Sequence, residues 1–141
     1  MTKIMYTARA TSTGGRSGHG ATDDGVLDVT LTTPKEMGGD GAVGTNPEQL
    51  FAAAYGACFH GALNLLAART RIAVHDASVQ VSVAFGRDPV DGLFMLTADV
   101  RIHLPGVEKN VAEELVRNTE RFCPYAKMAR NGITSIVALA S

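Results

Sequence analysis

Little in this 141-residue sequence points to a nucleic-acid or membrane partner. Lys and Arg number 13 against 14 Asp and Glu, a net charge of -1, and charged residues make up only 19% of the chain. A basic stripe of the kind that tracks a phosphate backbone is therefore missing. The first twenty residues hold no 7–15-residue apolar run followed by a small-residue cleavage site, so no secretory signal is read there and the expected compartment is the cytoplasm. Internal repeats and low-complexity tracts are absent, and so is the G-x-x-x-x-G-K-[ST] spacing of a phosphate loop. With only two cysteines, Cys58 and Cys123, a disulfide scaffold is excluded. In a reducing compartment such a pair reads as free, catalytic or redox-cycling thiols rather than a permanent bridge.

At 45% hydrophobic content the chain has the composition of a globular protein, and its length fits one domain over residues 1–141. The order of patterns is strands, a long helix, a hairpin, a second helix and a closing strand, an α+β arrangement. Lys3–Thr13 reads as a first strand. In Val26–Thr32, Leu27, Val29 and Leu31 alternate with Asp28, Thr30 and Thr32, the period of a half-buried strand. Glycine-rich loops, Gly14–Gly20 and Gly38–Gly44, flank it. Val79, Val81, Val83 and Phe85 share one strand face, GRDPVDG turns the chain, and Phe94, Leu96, Ala98, Val100 and Ile102 return as an antiparallel partner. Helical spacing relates Val107, Val111, Leu115 and Phe122, with Glu113 and Arg117 an i,i+4 pair on the wet side. The alternation of Ile133, Ser135, Val137 and Leu139 predicts a last strand.

The long helix carries the most information. Asn46 is a suitable N-cap, Pro47 suits the first helical position, and Glu48 lies where the helix dipole favours an anion. From Gln49 to Ala68 there is no Asp, Glu, Lys or Arg. Gln49, His60, Asn64 and the many alanines and glycines argue against a membrane span. A helix without a polar face is expected to be buried all round. One layer of strands covers one side of it, and Ala52, Ala53, Ala54, Gly56, Ala57, Gly61 and Ala62 permit close helix approach on the other, so the pattern predicts a homodimer.

Two readings of Cys58 stand side by side. As a buried small hydrophobe it is inert; beside a cation that lowers its pKa it is a nucleophile. Arg16, at the centre of GGRSGHG, is the candidate cation, against the alternative of an exposed arginine in a flexible turn. Cys123 precedes Pro124, which ends the second helix near Phe122. PYAKMARNG then begins a short helix capped by Gly132, and Cys123 either sits at its start as a mildly favoured thiolate or fills a junction. Metal binding has little support: Cys58 and His60 point away from each other on a helix, and His19, His75 and His103 show no ligand spacing.

TNPEQLFAAAYGACF, GGR in the preceding loop and FCPYAKMAR after it resemble the organic hydroperoxide resistance proteins, the Ohr branch of the Ohr/OsmC family, almost end to end. Two departures are visible. The second motif usually continues as SNATRGN where this chain has AKMARNG, and Ser17 often gives way to an acidic or amide residue. The resemblance implies an OsmC/Ohr-like fold, with antiparallel sheets wrapped around a long buried central helix in an intertwined homodimer. It also implies a cofactor-free and metal-free thiol peroxidase that reduces alkyl and lipid hydroperoxides to alcohols in oxidative stress defence. On that resemblance Cys58 is the peroxidatic cysteine, Cys123 the resolving cysteine that condenses with it, Arg16 the activating cation, and Glu48 the carboxylate that holds Arg16 by a forked ion pair. Phe51, Tyr55, Phe59 and Tyr125 are core residues or substrate wall. The implied reductant is a dithiol, supplied by a lipoylated protein. The competing readings are an OsmC-type peroxidase of broader range and a non-catalytic dimer with two structural cysteines.

Overall fold

The computed structural model describes residues 1–140, in two compact units, Met1–Leu50 and Phe51 onward. In the first, β1 (Ala10–Thr13), β2 (His19–Thr22) and β3 (Asp28–Thr30) form an antiparallel sheet in the order β1-β2-β3. The β1–β2 register pairs Ala10 with Thr22 and Thr13 with His19, leaving Gly14–Gly18 as the connecting loop. One 3-10 turn, Gly15–Ser17, forms in that loop. Beyond β3, Leu31 bridges Thr45 in a parallel sense, and the Leu31 N–H donates to the Gly18 carbonyl at 2.9 Å.

Helix α1 (Pro47–Arg69) begins as its sequence predicts: the Asn46 side chain accepts the Gln49 N–H at 2.9 Å, with Pro47 first inside. Most of α1 belongs to the second unit. There β4 (Ser78–Arg87) and β5 (Phe94–His103) form the expected antiparallel hairpin, followed by α2 (Lys109–Phe122) and α3 (Pro124–Asn131). Tyr55, Phe59, Ala62, Leu63 and Ala67 of α1 build the core with Leu115, Cys123 and Ala126; Val79, Val81, Val100 and Ile102 of the hairpin pack against it. Helix and hairpin approach closely at Gly56, where a side chain would lie 3.5 Å from Val81 Cγ2.

Several expectations are corrected. The first strand is confined to Ala10–Thr13, and Lys3–Arg9 has no regular structure. The predicted strand over Val26–Thr32 shortens to Asp28–Thr30. The closing strand is not formed: residues 132–140 lack regular structure, and Ile133, Val137 and Leu139 are exposed. A strand needs a neighbouring edge to satisfy its N–H and C=O groups, and alternation in sequence does not supply one. On α2 the inward stripe runs through Ala112, Leu115, Val116 and Thr119, while Val111 and Phe122 are exposed. The i,i+4 ion pair on its surface is Lys109–Glu113. Within one chain, Ala53, Ala57, Gly61, Leu65 and Ala68 form an exposed stripe along α1.

Candidate active site

Arg16 and Glu48 are 32 residues apart, and local pairings bring them together. The β1–β2 hairpin presents Arg16 at its tip. Gly18 ties that loop to Leu31, Leu31 pairs with Thr45, and three residues later Glu48 stands in the first turn of α1. Arg16 Nη1 donates to Glu48 Oε2 at 3.0 Å and Nη2 to Oε1 at 2.5 Å, a two-pronged pair with side chains 33% and 13% exposed. The guanidinium holds the Glu48 carboxyl below its usual range, and the carboxylate raises Arg16 in return. Both groups are therefore charged at neutral pH.

The loop is fixed by sterics as much as by its ion pair. Gly14 and Gly15 have positive φ, 75° and 60°. At Gly18 a Cβ would fall 1.8 Å from the Thr13 carbonyl oxygen, so only glycine lets the hairpin close.

The second unit assembles the sulfurs. Cys58 lies mid-way along α1 and is partly buried; Cys123 is wholly buried, at 0% exposure, between α2 and α3. Cys123 is extended, φ -68° and ψ 124°, as a residue before proline should be, and it is both the C-cap of α2 and the N-cap of α3. Its thiol donates to the Cys58 sulfur across 3.7 Å, and both thiols are free. Burial pushes the Cys58 thiol upward; against this, the Tyr125 backbone N–H bonds to the Cys58 sulfur, and the adjoining Cys123 pushes the thiol further up. The start of α3 thus serves Cys58 rather than Cys123. Sequence reasoning missed that group. Its signal was Pro124, which makes Tyr125 the first residue of α3 with an N–H to give.

Three of the four candidate wall residues come together. The Phe51, Tyr55 and Tyr125 rings have centroids 5.8–6.1 Å apart, with Phe51 and Tyr125 stacked. Phe59 lies in the core, 3% exposed, and makes no ring contact with them among the described residues. Burial also raises the Tyr55 phenol.

Residues 38–137 match the family model described as OsmC-like protein. The organic hydroperoxide resistance protein of Xanthomonas axonopodis pv. citri is 43% identical over 139 residues, 98% of this chain and 96% of that protein. The chain belongs to the OsmC-like family. Its relatives within that family place it in the organic hydroperoxide resistance branch. The crystal structure of the organic hydroperoxide resistance protein OhrB of Bacillus subtilis is 40% identical, with a TM-score of 0.82 over 89% of this chain and 92% of that one. The crystal structure of an organic hydroperoxide resistance protein from Elizabethkingia anophelis gives a TM-score of 0.86 at 38% identity, covering 92% of each chain. As in the OsmC-like fold, antiparallel strands accompany a long central helix.

Proposed function

We propose that this chain is a cysteine-based peroxidase that reduces organic hydroperoxides to alcohols in the cytoplasm, with Cys58 as nucleophile and Cys123 as resolving thiol. The observation that carries the reading is the pair of free sulfurs 3.7 Å apart, one on a rigid helix and the other at a two-helix corner. Names of relatives that speak of organic hydroperoxide resistance support the substrate class.

The Cys58 thiolate attacks the outer peroxide oxygen. An S–O bond forms, the O–O bond breaks, and the alkoxide leaves to take up a proton as the alcohol. Cys58 is then a sulfenic acid. Sulfur of Cys123 displaces its hydroxyl, which leaves with the thiol proton as water, and a Cys58–Cys123 disulfide results. A dithiol closes the cycle by two thiol–disulfide exchanges; we take it to be carried by a lipoylated protein, as the family resemblance implies.

Within its own unit Cys58 is pushed toward the neutral thiol, so the reaction needs a cation. We assign that role to Arg16, with Glu48 fixing the plane of its guanidinium. It stabilises both the thiolate and the charge growing on the leaving oxygen. Phe51, Tyr55 and Tyr125 offer an apolar surface for the organic group of the peroxide.

Thiol counting tests the whole scheme. Mixing reduced protein with tert-butyl hydroperoxide should remove both thiols of each chain. Cys123→Ser should consume about one equivalent and stop at the sulfenic acid, and Cys58→Ser should consume none. Full dithiol-dependent turnover by Cys58→Ser would overturn the assignment.

A further inference from the structure

Pro124 leaves a gap in the hydrogen bonding at the end of α2. In a continuous helix the Glu120 carbonyl would accept the N–H of residue 124, four positions on, and proline has none. A side chain fills the place: Nη1 of Arg130, from the last turn of α3, donates to the Glu120 carbonyl at 2.8 Å. Backbone bonds define the corner on either side. The Cys123 N–H donates to the Thr119 carbonyl at 2.8 Å, and the Lys127 N–H to the Cys123 carbonyl at 3.0 Å. Thr119, fully buried, donates its hydroxyl to the Leu115 carbonyl at 2.7 Å. Arg130 closes the clamp, joining the far end of α3 to the end of α2 with Cys123 at the vertex. Its charge also acts on the Tyr55 phenol, where it partly offsets the effect of burial.

We propose that Arg130 is a positioning residue for disulfide formation: by supplying the hydrogen bond that Pro124 cannot, it fixes the angle between α2 and α3 and holds the Cys123 sulfur in line to attack oxidised Cys58. This rests on the peroxidase reading above. The step it serves forms the S–S bond, breaks the S–O bond of the sulfenic acid and releases water, with no other reactant. A vertex without its clamp would still contain Cys123 but would hold it in attack geometry for less of the time, and displacements of about 1 Å are enough to slow such steps strongly.

Rapid mixing of the full chain with tert-butyl hydroperoxide separates the two steps, with sulfenic acid trapped by a 1,3-dione and the disulfide read from loss of the second thiol. Arg130→Met keeps the aliphatic stem and loses the donor. It should slow disulfide formation by about tenfold or more while sulfenic acid forms at close to the wild-type rate. Arg130→Lys, which retains a donor, should recover most of the loss. Excess peroxide should drive Arg130→Met on to the sulfinic acid sooner than wild type. Should Arg130→Met not fold, Arg130→Gln, with a shorter neutral chain, serves for the same comparison. Disulfide formation at the wild-type rate, or equal slowing of both steps alongside a lowered thermal midpoint, would overturn the proposal. Failure of wild type to lose two thiols would instead remove the peroxidase reading, and this inference with it.

Discussion

Cys58 illustrates how a single residue type leaves its chemistry undecided. An apolar helix position, partial burial and a neighbouring thiol all favour the neutral form, and one N–H from Tyr125 opposes them. If Arg16 is the missing cation, its removal should be visible in the pH profile. The thiolate fraction falls about tenfold for each pKa unit that lies above the working pH. Arg16→Ala should therefore shift the rate of sulfenic acid formation to higher pH and slow it strongly near pH 7, with the deficit shrinking as pH rises. Stopped-flow rates across pH check this, and an unshifted profile would assign Arg16 to structure alone. Arg16 pairs with Glu48, Cys58 meets Cys123, and the Phe51, Tyr55 and Tyr125 rings cluster, whereas Phe59 takes the core alternative.

Among the elements, the hairpin loop that carries Arg16 has a strict sequence requirement. Gly15 and Gly18 look alike in the string GGRSG, yet they differ in what surrounds them. Beyond its positive φ, Gly15 has open space where a side chain would go, whereas a Cβ at Gly18 would fall 1.8 Å from the Thr13 carbonyl oxygen. Gly15→Ala should cost about 1 kcal/mol of stability from backbone strain. Gly18→Ala must displace backbone, should cost about 1–3 kcal/mol, and should loosen the Arg16–Glu48 pair and slow peroxide reduction. Denaturant unfolding and peroxide turnover of the two variants give the comparison. Equal behaviour would mean that the close approach at Gly18 does not shape the loop.

For the whole molecule, the exposed surface is informative. Ala53, Ala57, Gly61, Leu65 and Ala68 line one side of α1; Phe94 and Leu96 stand out from β5 at 62% and 46% exposure; the terminal residues Ile4, Met5, Ile136 and Leu139 are bare. So much apolar surface is unusual for a monomer. A second copy of the chain is the occupant we propose, with the alternating Ile133–Leu139 segment gaining its missing strand partner in the dimer. The interface should exceed about 2,000 Å² in total, as obligate dimers do. Sedimentation should find a dimer at micromolar concentration, and Gly61→Arg should dissociate it. A stable wild-type monomer would show that α1 tolerates its bare face.

Local rules in the sequence determined the start of α1, the β4–β5 hairpin, the break at Pro124 and the Gly132 stop of α3. Each depends on residues close in the chain: a cap, a fixed φ, a missing N–H or an alternating pair of strands. Membership of the family was equally legible, because its motifs are contiguous strings. Tertiary structure alone decided which alternating segments became strands, since a partner edge lies elsewhere in space. It also decided which face of α2 turned inward, which sulfur received the Tyr125 N–H, and that Arg130 would bond to Glu120. Those outcomes depend on distances between elements far apart in sequence, and a distance of that kind exists only after the chain has packed.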